Sequence, residues 1–184
     1  MLYITVPAAK EAWDPINEIF IQTREQKLSL EHSLISISKW ETKWHIPFLS
    51  KDKKKTTEQI IDYIRCMTIT QNVPDEVFYV LSQDNLSDIN KYIDNPSTAT
   101  WFANTSNKVG RVNREEITSE LVYYWMVTYQ IPFECEKWHF NRLFTLIQIC
   151  YLKNQPEKKM NKRDIMARNS ALNAKRRQQY KSRR

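Results

Sequence analysis

Leu34-Ile-Ser-Ile-Ser-Lys-Trp-Glu-Thr-Lys-Trp-His-Ile-Pro47 is the stretch where the chain changes period. Before it, apolar residues come in short runs of the β-branched and aromatic type that suits a pleated surface. Within it, Leu34, Ile37, Trp40 or Glu41, and Trp44 recur at helical spacing, which predicts a helix ending before Pro47. Working back, Leu2–Val6 reads as a strand, and Ile19–Ile21 and Lys27–Leu30 as two more. Working forward, the helical period persists to the end of the chain. The fold class expected is therefore α+β and predominantly α-helical: a small N-terminal β element, a helical core and a C-terminal basic helix.

The helical part divides at its polar breaks. Lys51–Lys55, four lysines and an aspartate, reads as a solvated loop. Thr56 or Thr57 then caps a helix with Ile60, Ile61, Ile64 and Met67 on one side, ended by Asn72-Val73-Pro74. Asp75–Leu81 and Leu86–Ile93 read as short helices, and Thr98–Ala103 as a strand or an extended segment. A longer helix is expected from Asn113 to Gln130, with Glu115 and Glu116 in its first turn, where the helix dipole favours acids. Its apolar residues Ile117, Leu121, Val122, Tyr124, Trp125, Met126 and Val127 cover most of its circumference, as in a buried helix. A second long helix is expected from Glu134 to Lys153, packed on the first as the core. Asn154-Gln155-Pro156-Glu157 reads as a linker, and Asn161 as the N-cap of a last helix. The domain reading is thus a globular α-rich body, 1–153, and a mobile, helical basic extension, 154–184.

Composition narrows the function. A body of this size buries about 68–70% of its unfolded surface, enough for a real core, and six Trp, nine Tyr and seven Phe supply large rings to fill it. The single glycine, Gly110, excludes glycine-rich phosphate loops and dinucleotide fingerprints. Left-handed turns are then expected to use Asn or Asp, as at Asp94-Asn95-Pro96 and Asn104–Asn107. Three cysteines without a CxxC pair point to reduced, cytosolic chemistry. Met1–Pro7 does not read as a signal peptide, and no apolar run is long enough to cross a bilayer.

Charge is unevenly placed. Residues 152–184 carry 12 Lys and Arg against two acids, a net +10, whereas residues 1–151 carry 16 against 19, a net −3. The bases Lys158, Lys159, Lys162, Arg163, Arg168, Lys175, Arg176 and Arg177 are the candidate contact residues. On a helical wheel they fall on every side, with Ile165, Met166, Leu172 and Tyr180 equally scattered. A membrane-surface helix would separate the two classes, so no membrane contact is expected. All-round positive charge suits a polyanion or an acidic partner, or simply a solvated appendage.

The body offers weaker candidates. Lys-Trp-His occurs twice, at Lys43–His45 and Lys137–His139. Cys135 and His139 stand four residues apart, the spacing of two metal ligands on one helix, with His45 as a conceivable third. A buried histidine bonded to a carbonyl or carboxylate is the simpler reading. Glu134 and Glu136 flank Cys135 and would raise its pKa, against a role as nucleophile. Glu115, Glu116 and Glu120, near Arg111 and Arg114, read as a solvated helix face. Tyr123-Tyr124-Trp125 read as core, because consecutive helical residues point apart and form no stacking platform. No cofactor, metal or catalytic residue is expected.

Three stretches carry a resemblance: Ser36-Ile-Ser-Lys-Trp-Glu-Thr-Lys-Trp-His-Ile-Pro-Phe48, Lys55-Thr-Thr-Glu-Gln-Ile-Ile-Asp-Tyr-Ile-Arg-Cys-Met-Thr68 and Ile131-Pro-Phe-Glu-Cys-Glu-Lys-Trp-His-Phe-Asn-Arg-Leu143. With the tail Lys158–Asn169, the set resembles a family of tailed-bacteriophage proteins described as tail assembly chaperones of long-tailed phages. The resemblance spans most of the chain. It implies a non-enzymatic role in virion morphogenesis in the host cytoplasm: holding a long, helical tape measure protein until tail-tube subunits polymerise around it. Met67, Met126, Met160 and Met166 would suit a forgiving interface. The alternative is a nucleic-acid-binding virion protein of the head or neck, or a regulatory protein, acting through the same basic helix.

Overall fold

The computed structural model describes residues 1–14, 19–50, 54–100, 116–155 and 162–181. It is an α+β protein, mostly helical, and divides into two compact units, Met1–Tyr151 and Leu152–Arg184.

In the first unit, β1 (Leu2–Val6) pairs antiparallel with β4 (Gln26–Leu30), from Leu2 opposite Leu30 to Val6 opposite Gln26. Nested between them in sequence, β2 (Ala9–Asp14) pairs antiparallel with β3 (Ile19–Thr23), with a register shift between Ala9 and Ala12. Along β1 and β4 the side chains alternate: Ile4, Val6, Leu28 and Leu30 are buried while Tyr3, Thr5 and Lys27 face outward. Strand β2 was not expected, because Ala-Lys-Glu-Ala-Trp-Asp has weak strand propensity. Its conformation comes from pairing with β3. The far edge of β4 is covered by the chain leaving the second helix: Ile69 N–H donates to Ser29 O and Glu31 N–H to Met67 O, at 2.8 and 2.9 Å.

Helix α1 (Leu34–Trp44) starts at a capping box in which Ser33 and Ser36 exchange side chain-to-backbone bonds. It ends at His45, whose left-handed backbone (φ 53°) lets its N–H reach Glu41 O. Leu34, Ile37, Trp40 and Glu41 are buried, as the spacing predicted. The Trp40 ring is fully enclosed and its indole N–H donates to Gln59 O at 2.8 Å. Helix α2 (Thr57–Met67) is capped by Thr56 and packs on α1. Of the expected stripe, Ile64 and Met67 are buried and Ile61 packs against the core, but Ile60 is 44% exposed and Gln59, Asp62 and Tyr63 complete the buried face. The rotation is set by Asp62, which accepts from Lys43 Nζ (2.5 Å) and from the Trp44 indole (2.9 Å), fixing α2 on α1.

A 3-10 turn (Asp75–Tyr79) and α3 (Gln83–Asp94, capped by Ser82) follow. Ser97 takes the left-handed backbone after α3 (φ 49°), whereas Asn95 keeps φ −64° and accepts the Ser97 N–H with its side chain. Asn72 is left-handed, as asparagine in a turn can be. Asn104–Asn107 and Gly110 lie outside the described residues, as does the Ala103 end of the Thr98 segment, of which 98–100 is irregular.

Helix α4 runs only from Ser119 to Thr128, capped by Thr118, so the expected start at Asn113 is corrected. Glu120, not Glu116, is the acid of its first turn, and Glu115 lies outside the described residues. The helix is not enclosed: Val122 and Met126 are buried while Tyr124 and Val127 are exposed. Apolar residues around its whole circumference do not report burial here: α1 packs along one side, and Tyr124 and Val127 face outward. The expected helix 134–153 is likewise two elements, a 3-10 turn (Phe133–Lys137) and α5 (Phe140–Asn154), with Trp138 and His139 extended or bridged between them. The core is accordingly centred on α1 with α2, not on an α4–α5 pair. Lys55 is not a solvated loop residue: its ammonium lies 4.4 Å from the Phe48 ring centre and donates to Phe48 O, and burial pulls its pKa down.

The buried Glu41 carboxylate joins these parts, one oxygen accepting Phe48 N–H and the other Ser119 N–H, each at 2.7 Å. Glu41→Gln must turn an amide N–H₂ toward one of those two donors. It is expected to lower stability by about 1–3 kcal/mol, read as a shift in the urea midpoint at constant m. A shift below about 0.5 kcal/mol would remove Glu41 from its structural role.

Candidate functional site

The cationic residues singled out by sequence are placed on α6 (Lys162–Lys181), in the second unit. Twenty residues make a helix about 30 Å long. Arg163, Arg168, Lys175, Arg176 and Arg177 are exposed, and Lys162 is the first helical residue. Lys158, Lys159 and the Asn161 cap lie outside the described residues. The apolar residues Ile165, Met166, Leu172 and Tyr180 are exposed too. Successive 100° steps distribute the bases around the whole helix, with Asp164 as its one acid. Planar guanidinium forks and point-like ammonium groups on such a surface suit carboxylates or phosphates, and none is aimed at a single pocket.

The histidines form a different constellation from the one expected. Cys135 sits in the 3-10 turn and His139 lies beyond it, so the two do not share a helix face. His45 is the left-handed cap of α1. Among the described residues, no three His, Cys, Asp or Glu side chains gather as a metal-holding cluster. Instead His139 meets His32, whose position beside the Ser33 cap gave no spacing signal. Their rings are 5.2 Å apart and edge-to-face. His32 is 2% and His139 8% exposed. His32 Nδ1 is hydrogen-bonded to the Tyr63 hydroxyl. Nε2 of His139 donates to Tyr92 O at 2.9 Å, which assigns the proton to Nε2 and leaves Nδ1 to accept Asn141 N–H at 3.3 Å. Across the same contact Phe140 N–H donates to His32 O at 2.7 Å, and Ser33 and His139 form an isolated antiparallel bridge. Glu31 is occupied, taking the Tyr92 hydroxyl at 2.6 Å and the Met1 ammonium at 2.9 Å.

Burial governs the proton affinities. It lowers His32 to about 3, with repulsion from His139 adding to it, and lowers His139. It raises Tyr63 and Tyr92, Tyr92 also through Glu31. Both imidazoles are therefore neutral at pH 7. Their hydrogen bonds join the 31–33 segment to α2, through Tyr63, and α3 to the start of α5, through Tyr92 and Asn141.

A third feature escaped the sequence. Trp125 on α4, Tyr129 at its C-cap, and Phe144, Ile147, Gln148 and Tyr151 on α5 line an open groove of about 300 Å³. Of the Tyr123-Tyr124-Trp125 run expected in the core, Tyr123 and Trp125 are partly buried and pack against it, whereas Tyr124 is 63% exposed. Tyr123 is held by a bond from its hydroxyl to Glu136 at 2.9 Å. Met67 and Met126 are enclosed in the core and offer no contact surface, whereas Met166 is exposed and Met160 lies outside the described residues.

The Cys135 thiol is buried, and burial followed by the Glu134 charge pushes its pKa up. Each unit of such a shift removes about tenfold of the thiolate. In the native full-length chain at pH 8, peptide mapping after brief alkylation should find the buried Cys135 modified more slowly than the half-buried Cys150; equal labelling would refute the placement. No known protein family, curated protein or solved structure matches this chain.

Proposed function

We propose that the chain is a non-enzymatic assembly factor that binds another structural protein through α6. The observation that carries this reading is the exposure of a 20-residue helix with bases on every side, in a compact unit of its own. Charge without an apolar seam favours a partner that supplies acids along its length, and binding governed by Coulomb attraction rather than by a shaped pocket. The resemblance to tail assembly chaperones names the partner class: a long helical tape measure protein, or another tail protein, held in the host cytoplasm during virion morphogenesis. Contact residues are Lys158, Lys159, Lys162, Arg163, Arg168, Lys175, Arg176 and Arg177.

A second reading is favoured by the same charge distribution. With one acid in α6 against seven bases, the helix also suits nucleic acid in a virion head or neck, or in regulation.

The test compares the full chain with Lys175→Glu/Arg176→Glu/Arg177→Glu. In lysate of cells assembling phage, the wild type should co-purify with a long helical structural protein and be missing from mature virions. The triple variant should bind about tenfold more weakly, as three exposed ion pairs at about 0.5 kcal/mol each imply. Retention on duplex DNA whose affinity falls with salt by about 0.9 log units per log unit for each phosphate met, without the protein partner, would transfer the function to the second reading. Unaltered co-purification of the triple variant would remove α6 from the contact.

A further inference from the structure

The start of α5 depends on an acceptor that acid destroys. Helices begin with backbone N–H groups lacking internal partners, and a side-chain oxygen of Ser, Thr, Asp or Asn ordinarily accepts one. At α5 that place is taken by an imidazole: His139 Nδ1 accepts Asn141 N–H. The other ring nitrogen is committed to Tyr92 O, a carbonyl that can only accept, so the ring has one tautomer in which both bonds exist. A proton added at Nδ1 sets donor against donor at the positive end of a helix.

We propose that His139, with His32 across the bridge, is an acid-opened latch that frees the start of α5 from residues 31–33. Burial opposes an imidazolium at His139 more strongly than the Tyr92 carbonyl and the Glu31 charge favour it. From the 31–33 loop come His32 and the Glu31 carboxylate, whose two oxygens are already taken by Tyr92 and the Met1 ammonium. From α2 comes the Tyr63 hydroxyl, bonded to His32, and from α3 Tyr92. Phe48 and Phe140 contribute only rings, their centres 6.3 and 5.7 Å from that of His32. What opening releases is local: the Phe140 N–H to His32 O bond, the Ser33–His139 bridge and the tie to Tyr92. The α1 capping box and the α1–α2 contacts of Trp40 and Asp62 contain no histidine, so they stay closed.

The sign follows from linkage. Both histidines bind protons less readily closed than open, so the closed form is fully favoured above the free value near 6.5 and loses ground as pH falls toward the lowered values. For each histidine the opening constant rises by up to about tenfold per pH unit within that window. This inference concerns the first unit and is independent of the role of α6.

Amide hydrogen exchange of the full chain, expressed as protection factors from pH 7.5 to 4.5, tests it. Protection at Asn141, Arg142 and Leu143 should fall steeply below pH 6.5, while Ile37 and Trp40 in α1 keep theirs. In His139→Asn, whose amide oxygen still accepts Asn141 N–H but does not titrate, the slope at the α5 start should be at least halved. Protection independent of pH at the α5 start, a fall shared equally by α1, or the same slope in His139→Asn would overturn the latch. If the variant does not fold, the wild type decides: an NMR-titrated His139 pKa below 6.5 supports the latch, and one at or above 6.5 sinks it.

Discussion

One buried carboxylate holds the body's irregular parts to its regular ones. Glu41 projects from the middle of α1 and accepts a backbone N–H from each of two segments, at Phe48 and at Ser119. Taking a carboxylate out of water is costly unless its lone pairs are met by donors. Here the donors are themselves groups that would otherwise go unpaired: Ser119 N–H opens α4, and Phe48 N–H follows a chain reversal. Each side solves the other's desolvation problem, which makes the arrangement cooperative rather than a sum of two bonds. Placing Phe48 then determines much of the aromatic packing. Its ring centre lies 4.0 Å from Tyr63 and 5.3 Å from Trp40, and Lys55 caps its outer face.

Polar groups elsewhere in the body follow the same logic with different consequences. Asp62 is buried but surrounded by Lys43, the Trp44 indole and, at 3.7 Å, Arg65. The α1–α2 pair is therefore held by an ion pair and an indole hydrogen bond, with no imidazole among them. Where α3 and α5 meet the 31–33 loop, the connecting groups are imidazoles and phenols, which bond well only in their neutral forms. The fold thus has one joint made by a carboxylate and its cations and one made by imidazoles and phenols. The two joints differ in residue chemistry although Asp62, His32 and His139 are all buried.

The cationic helix obeys neither rule. It carries bases on all sides and leaves its few apolar side chains exposed. A helix that buries no stripe gains little from tertiary packing, and lone helices are marginal in water. The body, by contrast, leaves an open aromatic groove between α4 and α5 with rings on both walls.

Features whose signal is local in the chain were legible in the sequence. Strands β1, β3 and β4 show in their residue types, the α1 face in its spacing, the α2 start in Thr56, and the charge of α6 in a simple count. Features that need a distant residue were not. Strand β2 exists because β3 pairs with it. The inward turn of Asp62 is set by Lys43 and Trp44 on another helix, against the pattern of isoleucines on its own. Periodicity overran the true starts of α4 and α5, because the residues that begin those helices, Thr118 and His139, are caps rather than apolar positions. The candidate site divides the same way. Its cationic half is a property of composition and was readable in advance. The His32–His139 contact and the α4–α5 groove are properties of proximity, created only when segments far apart in sequence are packed side by side.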